Sequence, residues 1–272
     1  MKITYYGTAA AEGWPAMFCR CDACERARAA GGRNVRTRSQ ACIDDRLLID
    51  FPADTYMHVL NYGLDLSSIP DLIITHTHGD HFHPADLWCR EPGIAHGLPE
   101  GCEVLNVWGG CEIGRLTGEH GGRVKFREIP LMTTADVGGY KVTALPAVHD
   151  PLSGPRIYAI EKSGKRLLYA HDTGYFHDDV WNYMENTGIR FDLVSLDCTN
   201  CTLPMRESYG GHMGGEADRL VRDRMREIGA ADGDTLFCIN HFSHNGKATY
   251  DDLTLLLGGE FIVAYDGLSI EF

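Results

Sequence analysis

The sequence THTHGDHF, residues 75–82, places three histidines and one aspartate within six positions, directly after an apolar run. His76 and His78 are two positions apart, so on an extended segment both imidazoles lie on one face. The glycine that follows allows a tight turn, after which Asp80 and His81 can be directed at a neighbouring ion. Imidazole and carboxylate groups suit zinc, manganese or iron. The motif therefore predicts a fold in which one strand ends at a site for two metal ions.

Four ligands do not complete two metal sites, and other predicted strand ends supply further candidates. His149 follows a strand-like run in PAVHD, Asp172 ends one in LYAHDTG, and His241 follows one in CINHFSH. The carboxyl ends of strands are where α/β folds assemble their sites. We therefore predict that these three residues are metal ligands, although each alone would be read as an ordinary surface or core residue.

A separate cluster, CRCDAC, contains Cys19, Cys21 and Cys24. Three thiolates are one ligand short of a closed tetrahedral zinc site. His244 stands three residues after His241, so one strand end can supply a histidine to each site. We predict a structural zinc held by the three cysteines and His244. The alternative is three unmetallated thiols near the start of a helix.

The remaining cysteines and histidines carry weaker signals. Cys198 and Cys201 form a C-x2-C pair without a second pair, and we expect two free thiols. Six histidines have no partner that the sequence identifies and are expected on the surface: His58, His83, His96, His120, His171 and His177.

The net charge of −13, from 25 basic and 38 acidic residues, argues against an extended nucleic-acid interface. Small anionic substrates remain compatible, because bound divalent cations reverse the sign of the charge locally. The start MKITYYGTAA lacks the apolar segment of a secretory signal. No apolar run reaches the roughly 18 residues that cross a bilayer. We therefore expect a cytoplasmic protein without membrane contact; the sequence leaves a homodimer open.

The order of predicted elements indicates a layered α/β fold. Strand-like runs meander through the first two thirds of the chain, with a hairpin formed by RIYAIE and RLLYAHD around KSGK. Strands and helices then alternate: strand 191–197, helix 216–229, strand 235–240, helix 249–259 and a final strand 261–272. We predict a single domain, residues 1–272, with two mixed sheets inside and helices outside.

The motif THTHGDH resembles the HxHxDH signature of the metallo-β-lactamase superfamily, and the three distal ligands stand in the order and context of that family's remaining ligands. The resemblance covers essentially the whole chain and implies an αββα sandwich. It also implies two ligand sets bridged by Asp172: His76, His78 and His149 for one metal ion, and Asp80, His81 and His241 for the other.

The N-terminal stretch GTAAAEGWPAMFCRCDACERAR is similar to the phosphodiesterases that accompany bacterial carbon–phosphorus lyase. In that family three cysteines here and a histidine near the last catalytic ligand hold a structural zinc, and His244 matches that place. A pyrroloquinoline-quinone biosynthesis protein shares the cysteine-rich start, but its relatives typically lack an intact HxHxDH. The loop GGHMGG presents His212 before a helix. The resemblance implies that this histidine acts near the leaving group; the alternative is a helix-entry residue without chemistry.

The resemblance thus implies a hydrolase with two catalytic divalent ions, zinc or manganese, and one structural zinc. A hydroxide shared by the two ions would attack a small phosphodiester, such as a cyclic ribose phosphate or a cyclic nucleotide. Asp80 would hold a metal ion and His212 would protonate the leaving group. One alternative is an RNA-processing nuclease of the transfer-RNA 3′-end type, which the net charge disfavours. The other is a non-catalytic metal-binding accessory of cofactor biosynthesis, which the intact ligand set disfavours.

Overall fold

The computed structural model describes residues 1–207 and 210–272. Its helices are α1 (Asp22–Ala30), α2 (Thr55–Tyr62), α3 (Cys111–Leu116), α4 (Asp178–Thr187), α5 (Gly215–Glu227) and α6 (Tyr250–Leu257). Its strands are β1 (Lys2–Gly7), β2 (Gln40–Ile43), β3 (Leu47–Ile49), β4 (Asp71–Ile73), β5 (Leu105–Gly109), β6 (Val124–Glu128), β7 (Thr134–Val137), β8 (Tyr140–Pro146), β9 (Arg156–Lys162), β10 (Lys165–Ala170), β11 (Leu193–Asp197), β12 (Leu236–Asn240), β13 (Ile262–Val263) and β14 (Leu268–Glu271).

The strands form two seven-stranded sheets built on the same plan. The first sheet has the order β14-β1-β2-β3-β4-β5-β6, and the second has the order β13-β12-β11-β10-β9-β8-β7. Strands β3 to β6 of the first sheet are parallel to one another, and so are strands β10 to β13 of the second. Strand β8 runs in the same direction as β10, because each pairs antiparallel with β9. The carboxyl ends of these strands therefore lie at common edges.

Alternate residues of the central strands enter two different apolar layers. Leu47 and Ile49 of β3 lie in the core that contains residues of both sheets, whereas Leu48 lies in the layer outside the first sheet. Strand β4 repeats the pattern, with Ile73 in the core between the sheets and Leu72 in the outer layer. Side chains of a strand alternate between its faces. Both faces are covered, which explains why these strands read as continuous apolar runs.

Two buried tyrosines donate hydrogen bonds across the core between the sheets. Tyr5 of β1 donates to Ser195 Oγ of β11 at 2.8 Å. Tyr158 of β9 donates to the carbonyl of Ile74 at 2.7 Å, two residues before the HxHxDH motif begins. A buried hydroxyl without a partner is destabilising, so each bond restricts how the sheets can pack. The two sheets are thereby held in one arrangement next to the motif.

The predicted fold class is confirmed, since two mixed sheets flanked by helices form the αββα sandwich. The predicted final strand 261–272 is wrong in one respect. The turn at Asp266 and Gly267 divides it, so β13 joins the second sheet and β14 joins the first. Gly267 has a φ of 92°, which side-chain-bearing residues rarely adopt. No helix in the described residues combines the length and apolar character that crossing a bilayer requires.

Two histidines expected on the surface are buried instead. His58 places Nδ1 2.6 Å from Gln40 Oε1 and Nε2 2.7 Å from Thr37 Oγ1. His171 places Nε2 2.7 Å from Ser195 Oγ. Burial lowers the pKa of both imidazoles, that of His58 to about 4. Both are therefore neutral, hydrogen-bonded core residues at pH 7.

Candidate metal centre and active site

Strand ends of both sheets deliver polar side chains to one edge of the sandwich. Asp50 and His76 follow β3 and β4 of the first sheet, Asp197 ends β11, and Asp172 and His241 follow β10 and β12 of the second. Asp50, Asp172 and His241 have φ values of 63°, 56° and 62°, a left-handed backbone that is uncommon outside glycine. Backbone strain of this kind concentrates at functional sites, where the surrounding structure maintains it.

The first predicted ligand set comes together around Asp172. His76 Nε2 lies 3.0 Å and His149 Nε2 lies 3.4 Å from Asp172 Oδ2. His149 Nε2 is also 3.2 Å from His78 Nδ1. Four ligands at a zinc-bond length of about 2.1 Å around a tetrahedral centre stand about 3.4 Å from one another. The spacing of the four groups therefore fits one divalent ion.

The second predicted ligand set shares Asp172 with the first. His81 Nε2 lies 3.3 Å from Asp80 Oδ2, 3.3 Å from Asp172 Oδ2 and 3.1 Å from His241 Nε2. His241 Nε2 is 4.0 Å from Asp172 Oδ2. The carboxylate of Asp172 thus lies where it could contribute a ligand atom to either set.

The hydrogen bonds of the imidazoles are consistent with bound metal. Outer ring nitrogens are directed at protein oxygens, as with His81 Nδ1, which lies 2.7 Å from Asp50 Oδ2. Inner nitrogens face other ligand atoms. His76 Nε2 is buried and lies 3.0 Å from Asp172 Oδ2, yet it forms no hydrogen bond with any described residue. Burial lowers the pKa of His76 to about 4, so this ring offers a lone pair at neutral pH. Buried polar atoms are rarely left unpaired, and a metal ion would satisfy this one.

The charge of the site also favours cations. Asp50, Asp80, Asp172 and Asp197 surround it, and none of them pairs with a lysine or an arginine among the described residues. Burial would raise the pKa of Asp80 and Asp172, but neighbouring histidines lower both well below the usual range. Burial would lower the pKa of His81, but Asp80 and Asp50 raise it instead. The site therefore concentrates negative charge that bound divalent ions would neutralise.

Asp50 contacts the ring nitrogen of His81 that faces away from the second ligand set. Its side chain is fully buried, and Oδ1 accepts hydrogen bonds from Thr75 N at 2.8 Å and from Thr75 Oγ1 at 3.0 Å. Oδ2 lies 2.7 Å from His81 Nδ1, which leaves His81 Nε2 to face the second ligand set. A carboxylate in this position selects the tautomer of a metal-binding histidine and fixes the orientation of its ring.

Asp50→Asn is therefore expected to weaken metal binding and turnover by roughly 10–100-fold, the usual effect of losing such a partner. Competition with a chelator measures the affinity for metal. Asp45→Asn is the matched control, because Asp45 is exposed and pairs with Lys2 away from the site. Wild-type metal affinity in Asp50→Asn would contradict the orienting role.

His212 lies beside the ligand sets on the loop that precedes α5. Its Nδ1 is 3.0 Å from Asp172 Oδ1 and 3.3 Å from Asp197 Oδ2. Burial would lower the pKa of His212, but the two carboxylates outweigh that effect and raise it to about 10. Together with Asp172, Asp197 and His241, this histidine also forms a third group with metal-ligand spacing. The geometry thus allows His212 to act on a substrate or to hold an ion.

Sequence reasoning missed three residues that support the ligands, namely Asp50, Asp197 and Thr199. Thr199 Oγ1 lies 2.8 Å and Asp197 Oδ2 lies 3.3 Å from His241 Nδ1. A signal was available for the two aspartates, because Asp50 ends the run LLID and Asp197 ends the run VSLD, as Asp172 ends RLLYAHD. No comparable signal marks the threonine.

The predicted cysteine site also comes together, and it shares no residue with the ligand sets around Asp172. Cys19, Cys21, Cys24 and His244 offer ligand atoms within 4.8 Å of one another. Cys21 Sγ lies 3.4 Å from His244 Nδ1. Burial would raise the pKa of Cys21, but hydrogen bonds, first of all to His244, lower it to about 6. The thiolate is the form that binds zinc, so this group fits a closed structural site.

Cys21→Ser is expected to remove one zinc ion per chain and to lower the melting temperature, because binding of a structural zinc contributes to folding free energy. Wild-type protein should carry about three divalent ions per chain, one in thiolate coordination. Elemental analysis and thermal unfolding measure both effects. Cys89→Ser is the control, because Cys89 is an exposed thiol outside the group. Equal metal content in wild type and Cys21→Ser would rule out the structural site.

A cavity of about 290 Å³ opens over the ligand sets. Its lining includes His78, Asp80, His149, Asp172, His212 and His241. Residues 10–12 and residues Ser243 and Asn245 form another part of the wall. A second cavity, of about 190 Å³, lies among leucines outside the first sheet and contains none of the ligand residues. The cavity that is lined by the ligand residues is therefore the candidate active site.

The comparisons with known proteins agree with this fold. Residues 46–223 match the model of the beta-lactamase superfamily domain. No curated protein sequence matches the chain. A diphosphatase from the PhnP family has a similar structure, with a TM-score of 0.74, 19% identity, and coverage of 100% of this chain and 97% of that one.

Two further solved structures extend the comparison. Zn(2+)-bound PqqB from Methylobacterium extorquens has a TM-score of 0.67 and 18% identity over 100% of both chains. The short form of human tRNase Z has a TM-score of 0.59 and 16% identity over 100% of this chain and 99% of that one. Such low identities show the fold alone. The family model, however, spans more than half of the residues. The chain therefore belongs to the beta-lactamase superfamily and has the metallo-β-lactamase fold.

Proposed function

We propose that this protein is a metal-dependent phosphodiesterase that hydrolyses small phosphodiesters such as cyclic ribose phosphates or cyclic nucleotides. The family, the fold and the histidine and aspartate clusters support a metal-dependent hydrolase. The observation that carries the finer proposal is His212, which lines the cavity next to the two ligand sets and contacts Asp172. In this proposal His212 is the proton donor beside the site where the ester bond breaks.

The size and charge of the site favour a small substrate. The cavity of about 290 Å³ has the dimensions of a small-molecule site rather than of a groove for a polymer. The net charge of −13 disfavours an extended RNA backbone. These two observations support a compact phosphodiester over a transfer-RNA precursor as the proposed substrate.

The residues of the chain have separate tasks in this proposal. His76, His78, His149, Asp80, His81, His241 and Asp172 hold the ions. When bound, two divalent ions, zinc or manganese, supply a water-derived nucleophile at neutral pH and offset the charge on the phosphoryl oxygens. Asp172 Oδ1 and Asp197 Oδ2 engage His212 Nδ1, so Nε2 is the ring nitrogen left for the substrate. Nε2 gives its proton to the departing ester oxygen, which would otherwise leave as an unstable alkoxide.

A substrate panel on metal-loaded protein tests the proposal. The panel contains a cyclic ribose phosphate, a bis(nitrophenyl) phosphodiester, a thioester, a lactam and a transfer-RNA precursor. Turnover of the first two compounds, with little on the others, is the expected result. Activity restricted to the RNA would replace the proposal with a processing nuclease. Full metal content without any turnover would indicate a non-catalytic metal-binding accessory.

A further inference from the structure

Glu12 is an acidic residue in the wall of the candidate active site that no ligand set uses. It lies in the segment that follows β1 and lines the cavity together with Ala10 and Ala11. Its Oε1 accepts a hydrogen bond from Ser243 Oγ and lies 3.6 Å from His244 Nε2. Its side chain keeps 30% of its surface exposed. Oε2 has no hydrogen-bond partner among the described residues, so one carboxylate oxygen is free to contact a bound molecule.

The described cavity wall contains no lysine or arginine. Arg38 approaches it from outside, where Nε donates to the carbonyl of Ala11 at 2.8 Å. Its guanidinium is committed to Asp54, with Nη1 3.1 Å from Oδ1. Apart from His212, which the proposed function assigns to the leaving group, the wall therefore offers a second anionic group of a substrate no cationic side chain, and Glu12 would repel it. Charges interact more strongly in a partly enclosed cavity than in bulk water.

We propose that Glu12 is a specificity-determining residue that selects phosphodiesters whose far end carries a hydroxyl or amine donor and rejects those that carry a second phosphate. The proposal rests on the proposed function of the site. A hydroxyl or an amine can donate a hydrogen bond to the free Oε2, whereas a phosphate at the same place meets a like charge. Sites built around a hydrogen bond to a substrate discriminate strongly against analogues that cannot form it.

Kinetics on a matched substrate pair test the proposal. The pair is a ribose 2,3-cyclic phosphate with a free 5-hydroxyl and the same compound with a 5-phosphate. Wild-type protein should prefer the hydroxyl compound in kcat/KM. Glu12→Gln should lower that preference by roughly 10–100-fold, the scale of a charge–charge interaction in a partly screened cavity. Glu185→Gln, which removes the same charge from an exposed site on α4, should leave the preference unchanged.

Binding measurements separate this proposal from the proposed function. Calorimetric titration with orthophosphate and pyrophosphate needs no turnover, and Glu12→Gln should increase the affinity for pyrophosphate relative to orthophosphate. If no phosphodiester is hydrolysed, the proposed function fails and the binding ratio alone decides the role of Glu12. An unchanged ratio in either assay would overturn that role. Zinc content provides the structural control, because glutamine can still accept from Ser243 Oγ and contact His244. Loss of zinc without a changed ratio would assign Glu12 to the cysteine site instead.

Discussion

Replacing Asp172 with alanine is expected to lower turnover by more than the roughly 100-fold that loss of a supporting residue causes. The reason is that Asp172 Oδ2 lies 3.0 Å from His76 Nε2 and 3.3 Å from His81 Nε2, which belong to different ligand sets. Removing the carboxylate takes one ligand from each set. Elemental analysis should show that at least one ion is lost.

Asp150→Ala provides the comparison for this variant. Asp150 also lies next to a predicted ligand, with Oδ2 3.3 Å from His78 Nε2, but it belongs to neither ligand set. Its loss should reduce turnover far less than the loss of Asp172. Near-normal turnover and full metal content in Asp172→Ala would show that the bridge lies elsewhere, and Asp150 would be the first residue to test.

His212→Ala is expected to slow hydrolysis of a cyclic ribose phosphate by roughly 10²–10⁴-fold, the usual contribution of a general acid. The departing ribose oxygen is a poor leaving group and needs a proton, whereas a nitrophenolate does not. The same variant should therefore lose much less activity on a nitrophenyl phosphodiester. Steady-state kinetics on both substrates, at fixed pH and metal concentration, measure the difference.

Two other roles for His212 give different results. A histidine that only binds phosphate would affect both substrates equally, mainly through KM. A histidine that holds an ion with Asp172, Asp197 and His241 would reduce the metal content of the variant. Unchanged metal content, together with unequal losses on the two substrates, distinguishes the general acid from both alternatives.

The ligands that could be predicted from sequence are mainly those that lie within a few residues of one another. The motif at 75–82 places four ligands within a few residues, and Cys19, Cys21 and Cys24 likewise place three ligands of the second site close together. The supporting residues acquire their roles only through packing. Asp50 meets His81 across 31 positions of sequence, and Thr199 meets His241 across 42. A single aspartate or threonine carries no pattern that identifies such a partner.

Local sequence patterns likewise predicted the fold class, but they did not predict where the last strand divides. Continuous apolar runs identify central strands, because those strands are covered on both faces. The division of the final strand depends on distant contacts as well as on its local Asp-Gly turn signal. Asp266 accepts hydrogen bonds from Thr8 Oγ1 and from Thr37 N, both at 2.6 Å. These contacts fix the turn at which the chain passes from one sheet to the other. The residues on both sides of the turn have a strand-like composition, so the sequence does not show that they belong to different sheets.

The distribution of the ligands over both sheets has a consequence for how the chain acquires its metal. His81 Nε2 and His241 Nε2 lie 3.1 Å apart although 160 residues separate them in sequence. Closing so long a loop costs conformational entropy, which packing of the two sheets must offset. Neither sheet carries a complete ligand set, so the second set cannot exist until the ribosome has passed residue 241. Capture of an ion by the second set would therefore be a late event in biogenesis, long after the histidines of residues 75–82 have been made.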